Sequence, residues 1–104
     1  MFALETLAEI IESRANVDAG SSYTRALLDK GVARCARKFG EEATEAVIAA
    51  VAEDDRALVG EAADVLYHLL VVLKARDIPL GLVMAELESR TVQSGHAEKA
   101  SRPK

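Results

Sequence analysis

The sequence predicts an all-α fold: a helical bundle of four to five helices, completed by homodimerisation. Three observations carry this. Apolar residues recur at helical spacing in each long segment, and no period-2 strand alternation occurs. Hydrophobic residues make up 50% of the chain, yet aromatics are only 4% and Trp is absent. The core must then be built from Ala, Val, Leu and Ile, side chains that suit close-packed helices. Turn and cap signals ("NVDAGSS", "EDD", "RDIPLG") separate the segments.

The elements follow in order. Leu4, Leu7, Ala8, Ile11 and Ala15 set a first helix from about Leu4 to Arg14. "NVDAGSS" is a loop, after which Ser21, Ser22 or Thr24 caps a short helix through Leu27 and Leu28. Gly31 breaks or bends it. A long helix covers about Val32 to Glu53. "EDD" forms the next turn and N-cap, and a second long helix covers about Arg56 to Arg76. Pro79 disfavours helix at the residue before it, and a last helix runs from about Leu80 to Arg90. Residues 1–92 read as one domain with one modest core. Residues 93–104 read as a polar, mobile tail.

Charge and cysteine content narrow the function. The net charge is −4, from 13 basic and 17 acidic residues. That argues against a general nucleic-acid or membrane-surface binder, which carries a basic footprint. A polyphosphate can still bind where a metal ion stands between the two. Cys35 is the single cysteine, so no intrachain disulfide forms; it reads as a small packing residue. The N-terminal "MFALETLAEIIESR" has no basic n-region and is not a signal peptide. The run Val65–Leu73 is too short to span a bilayer. A cytoplasmic location is expected.

Two acid clusters open the long helices: Glu41, Glu42 and Glu45 in "KFGEEATEAVIAA", then Glu61 and Asp64 in "GEAADVLYHLLVVL". On a wheel with Glu41 at zero, Glu45, Ile48 and Ala52 fall within roughly 40° of it and Glu42 at about 100°, on the edge. With Glu61 at zero, His68 lies at about −20° and Asp64 at about −60°. Both clusters therefore share faces with aliphatic residues. Like charges one turn apart cost only about 0.2–0.5 kcal/mol on an exposed helix. Carboxylates withdrawn from water cost several kcal/mol each unless partnered. Arg34 and Lys38 lie on the Glu41 arc and could pair with some acids, not all five. A hard divalent cation such as Mg²⁺, which takes oxygen ligands and keeps waters for a phosphate, would serve them all. Against this stands the plain alternative that acidic triplets line many solvated helices.

These segments, with "SYTRALLDKG", resemble a known family. "EExxE … ExxD" is the pattern of the MazG-like all-α nucleoside triphosphate pyrophosphohydrolases. The flanking residues, from about Ser22 to Arg90, look like its phosphoribosyl-ATP pyrophosphohydrolase branch. The resemblance implies an all-α fold, Mg²⁺ dependence and a homodimer. It implies hydrolysis of 1-(5-phosphoribosyl)-ATP to the AMP adduct and pyrophosphate, the second step of histidine biosynthesis. It places Glu41, Glu42, Glu45, Glu61 and Asp64 at the metal positions. Glu42 and Glu45 become the catalytic candidates, with Glu42, off the main arc, one candidate for the general base. Lys38 and Arg34 would lie near phosphates, with Arg14 or Arg90 also within reach. Ser22, Tyr23 and Thr24 match a loop that touches substrate, or serve simply as a helix cap.

Other features stay open on sequence grounds. His68 lines the site or is a satisfied core or interface histidine. Tyr67 points away, to a helix or subunit contact. Gly40 and Gly60 mark a close approach or a local break. "VLYHLLVVL" is apolar around most of its circumference, which a homodimer or a central position within one chain would satisfy. Two other functions compete: a house-cleaning hydrolase of free nucleoside triphosphates, and a non-enzymatic dimeric helical protein whose acids only form salt bridges.

Overall fold

The short segments between helices do the positioning. Ser22 Oγ accepts from the Arg25 amide at 3.1 Å and starts one helix. Asp54 accepts from the Ala57 amide at 2.9 Å and starts another. Both satisfy an amide that a helix start leaves free. In the computed structural model, which describes residues 1–92, the helices are α1 (Leu4–Ala15), α2 (Tyr23–Asp29), α3 (Val32–Ala52), α4 (Asp55–Ala75) and α5 (Leu80–Thr91). A 3-10 turn, Ala19–Ser21, precedes α2. No strand occurs among the described residues. The expected tail, residues 93–104, lies outside them.

Two junctions rest on the left-handed backbone region. Gly31 has φ 94° and turns the chain sharply from α2 into α3, a conformation open to glycine at no steric cost. Asp77 has φ 55° and closes α4. Its amide bonds the Lys74 carbonyl, and the Ile78 amide bonds the Leu73 carbonyl, both at 2.9 Å. That is a Schellman turn. So α4 ends at this turn, and Pro79 instead stands as the N-cap of α5. Gly40 and Gly60 break nothing: each lies inside a continuous helix, facing open space. Neither the expected break nor a close approach by another helix of the chain occurs there.

α3 and α4 pack along their length as a helical hairpin, joined by two residues. α1 and α2 cover only one end of it. There Ile11, Leu27, Cys35, Leu70 and Val71 form the buried core, with Leu7, Leu28 and Leu73 packed around it. Leu70 and Val71 show that "VLYHLLVVL" is covered largely within the chain, although Leu66 stays 43% exposed. Toward the hairpin's other end a group of apolar side chains is uncovered: Val47, Ile48 and Val51 on α3, and Val59 on α4. Cys35 is buried and its thiol donates to the Leu27 carbonyl at 3.3 Å, a packing role.

Candidate active site

The acid cluster forms where the hairpin emerges from under α2. Glu42 and Glu45 come from one turn of α3 and Glu61 from the facing part of α4. One carboxylate oxygen of each lies within 4.8 Å of the others. Glu42 is buried, 8% exposed; Glu61 is half-buried and Glu45 exposed. The buried stripe of α3 thus runs Cys35, Glu42, Ala49, at intervals of seven. The wheel centred on Glu41 was displaced because it followed Ile48 and Ala52, which are exposed. Small residues, not large ones, mark where α3 meets its neighbours.

The charges within the cluster pull in opposite directions. Burial disfavours the Glu42 carboxylate. Hydrogen bonds from Lys38 and Glu45, and the Lys38 charge, outweigh it and hold the group below its ordinary pKa. Lys38 Nζ lies 3.2 Å from Glu42 Oε1 and 3.9 Å from Glu41 Oε1; the Glu42 contact pushes the lysine up, so it stays protonated. Glu45 is pushed up by its hydrogen bond to Glu42 and by the charges of Glu42 and Glu61. Glu61 is pushed up by burial first, then by Asp64, Glu42 and Glu53. One lysine therefore balances part of a crowded set of carboxylates. Ligands of a single Mg²⁺ lie about 2 Å from it and so within roughly 4 Å of one another. A small side-chain rotation brings these three oxygens into that range. The donor set, all hard oxygens with excess negative charge, fits the ion.

Two sequence-predicted ligands sit outside the trio. Glu41 is exposed and turned to Arg37 and Lys38, at 3.5 and 3.9 Å. Asp64 is exposed at the border, near enough for its charge to act on Glu61 and His68. Glu53, read from sequence only as part of a turn, reaches the site instead. It lines a cleft of about 210 Å³ with Glu45, Ile48 and Glu61. Its position at the end of α3, eight residues beyond Glu45, was the available signal.

Behind the acids lies an aromatic step. His68 is 5% exposed, with its pKa lowered chiefly by burial, and its Nδ1 lacks a hydrogen-bond partner among the described residues. Tyr67 meets it edge-on at 5.0 Å and stacks with Tyr23 at 6.3 Å. The Tyr67 hydroxyl pairs with the Thr24 hydroxyl, so Tyr67 is a helix contact, joining α4 to α2. Ser22 bonds the Arg14 carbonyl and the Arg25 amide, and Thr24 is 1% exposed. Both are engaged in the fold. Tyr23, 58% exposed, alone of the three presents its side chain outward. It walls two clefts. One, of about 480 Å³, includes Arg14 and Tyr67. The other, of about 340 Å³, includes Lys30, Arg34, Arg37, Lys38 and Glu41. Arg90 pairs with Glu86 along α5 at 3.0 Å.

Carboxylates converging from two helices of a hairpin, with a cationic cleft alongside, define an all-α protein whose site suits a cation and a polyanion together. A family model for phosphoribosyl-ATP pyrophosphohydrolase matches residues 4–91. The chain is 57% identical to the phosphoribosyl-ATP pyrophosphatase of Azorhizobium caulinodans, over 95% of this chain and 91% of that protein. It is 58% identical to that of Ruegeria pomeroyi, over 100% and 99%, and 57% identical to that of Agrobacterium fabrum, over 98% and 95%. The chain belongs to the phosphoribosyl-ATP pyrophosphohydrolase family.

Proposed function

We propose that this chain hydrolyses 1-(5-phosphoribosyl)-ATP to 1-(5-phosphoribosyl)-AMP and pyrophosphate, as a Mg²⁺-dependent homodimer in the cytoplasm and as the second step of histidine biosynthesis. The observation that carries the chemistry is the meeting of Glu42, Glu45 and Glu61 within 4.8 Å. The names of the relatives support the substrate. No described helix is long and apolar enough to cross a membrane.

Glu42, Glu45 and Glu61 would hold Mg²⁺, with Asp64 and Glu41 at the border as further oxygen donors. The ion supplies neutralisation of phosphate charge and a more acidic water. The remaining work belongs to the chain. Lys38 keeps Glu42 ionised and stays cationic itself, facing the developing negative charge of the leaving pyrophosphate. Glu45, the exposed member of the trio, is the better-placed general base: only one of its carboxylate oxygens need face the cluster, and the other can meet a water from solvent. Glu42, held low by Lys38, is the weaker one. Both were catalytic candidates on the sequence. Arg34 and Tyr23 line the approach for substrate.

Glu45→Gln keeps the size of the side chain and removes its proton-accepting charge. It should cut pyrophosphate release by about 100-fold or more, with helix content unchanged by circular dichroism. Turnover at the parent rate would remove Glu45 from the site.

A further inference from the structure

An acidic protein gathers cations around one cleft. Lys30, at the C-cap of α2, and Arg34, Arg37 and Lys38, on one face of α3, line it with Glu41 as its acid. The Gly31 turn brings Lys30 against the start of α3. Arg37 and Lys38 are shared with Glu41 and Glu42, at 3.2–3.9 Å. Lys30 and Arg34 make no ion pair among the described residues, and both are exposed to the cleft's solvent. If this face were only a salt-bridged scaffold, its cations would be matched by acids.

Lys38 and Glu41 make one end of the cleft adjoin the acid cluster, and Lys30 and Arg34 lie at the other end, further back along α3. Arg34 and Glu42 are eight residues apart, roughly 12 Å at 1.5 Å per residue. That is the scale of a purine carrying two riboses rather than of one phosphoanhydride. The proposed substrate has two anionic ends: a triphosphate, and a phosphomonoester on its second ribose. The acid cluster takes the first through a cation. A guanidinium and an ammonium with no acid of their own suit the second, because Arg grips a phosphate with paired N–H donors and Lys adds a point charge.

We infer that Lys30 and Arg34 form a binding subsite for the sugar phosphomonoester of the substrate, and that this subsite separates phosphoribosyl-ATP from free nucleoside triphosphates. This rests on the proposed activity and assigns its specificity.

The test uses Lys30→Gln and Arg34→Gln in the full chain, with two readouts. In steady-state kinetics with Mg²⁺, the ratio of kcat/KM for phosphoribosyl-ATP over ATP should fall by about tenfold in each variant, mostly through KM. In titration without nucleotide, ribose 5-phosphate should bind the parent chain and bind each variant about tenfold more weakly. Equal losses on both substrates would assign the cleft to the shared triphosphate and overturn the inference, leaving the activity intact. Unchanged kinetics and unchanged ribose 5-phosphate binding would also overturn it. A parent chain that releases no pyrophosphate from phosphoribosyl-ATP would sink the proposed activity, and the ribose 5-phosphate titration alone would then decide whether the cleft binds a sugar phosphate.

Discussion

At the scale of single residues, the site is a problem of like charge. Glu45 and Glu61 are both pushed above their ordinary pKa. A carboxyl raised in the folded state favours folding while protonated. That contribution is full below the unfolded pKa and is lost as pH rises through the folded one. Glu42 is shifted the other way and offsets part of it. Without metal, the cluster should therefore weaken the fold as pH rises from the acid range to neutrality. Mg²⁺ binding requires ionised ligands and should reverse the loss. The expected result is a Mg²⁺-induced rise in Tm that is large near about pH 8 and shrinks toward about pH 5, read by differential scanning fluorimetry. A rise that does not depend on pH would detach the metal from these carboxylates. The three acids that meet, Glu42, Glu45 and Glu61, were all among the five the sequence singled out, while Glu41 and Asp64 lie outside the trio. The ranking of the five was not legible there. Whether Glu41 or Glu42 turns inward depends on Cys35 and Ala49 being small enough for close contact, and small residues carry little weight in a hydrophobic pattern.

At the scale of elements, the boundaries of the central helices were readable where a local chemical cause marks them. Ser22 and Asp54 cap, and Gly31 breaks. The end of α4 was attributed to Pro79, whereas Asp77 in the left-handed region does the work; Asp tolerates that region better than most residues but rarely announces it. The "SYT" stretch mixes roles. Thr24 and Tyr67, 43 residues apart in sequence, join α2 to α4 through their hydroxyls, a contact that no helical period reveals. Thr24→Val keeps the shape and removes the partner. It should lower unfolding free energy by about 1–2 kcal/mol, measured by urea denaturation, and leave KM for the substrate near the parent value. A large rise in KM with unchanged stability would return Thr24 to the substrate site.

At the scale of the whole molecule, a small core and an extended hairpin leave apolar surface uncovered. The sequence suggested a dimer from "VLYHLLVVL", yet much of that stretch is packed within the chain. The stronger reason is Val47, Ile48, Val51 and Val59 beyond the reach of α1 and α2, with Val51 84% exposed. Tertiary cover of this kind depends on where α1 and α2 dock, which one helix's periodicity does not contain. Val51→Glu should weaken self-association by about 100-fold or more, since an unpaired charge would enter an apolar interface, as read by sedimentation equilibrium. On a face that stays in solvent, the same change would stay within about 0.5 kcal/mol and leave the mass unaltered. Above these tests stands the activity itself. Pyrophosphate release with Mg²⁺ should be compared for phosphoribosyl-ATP, ATP and dCTP. A clear preference for phosphoribosyl-ATP is the expected result; a preference for a free triphosphate, or release from none of the three, would contradict it.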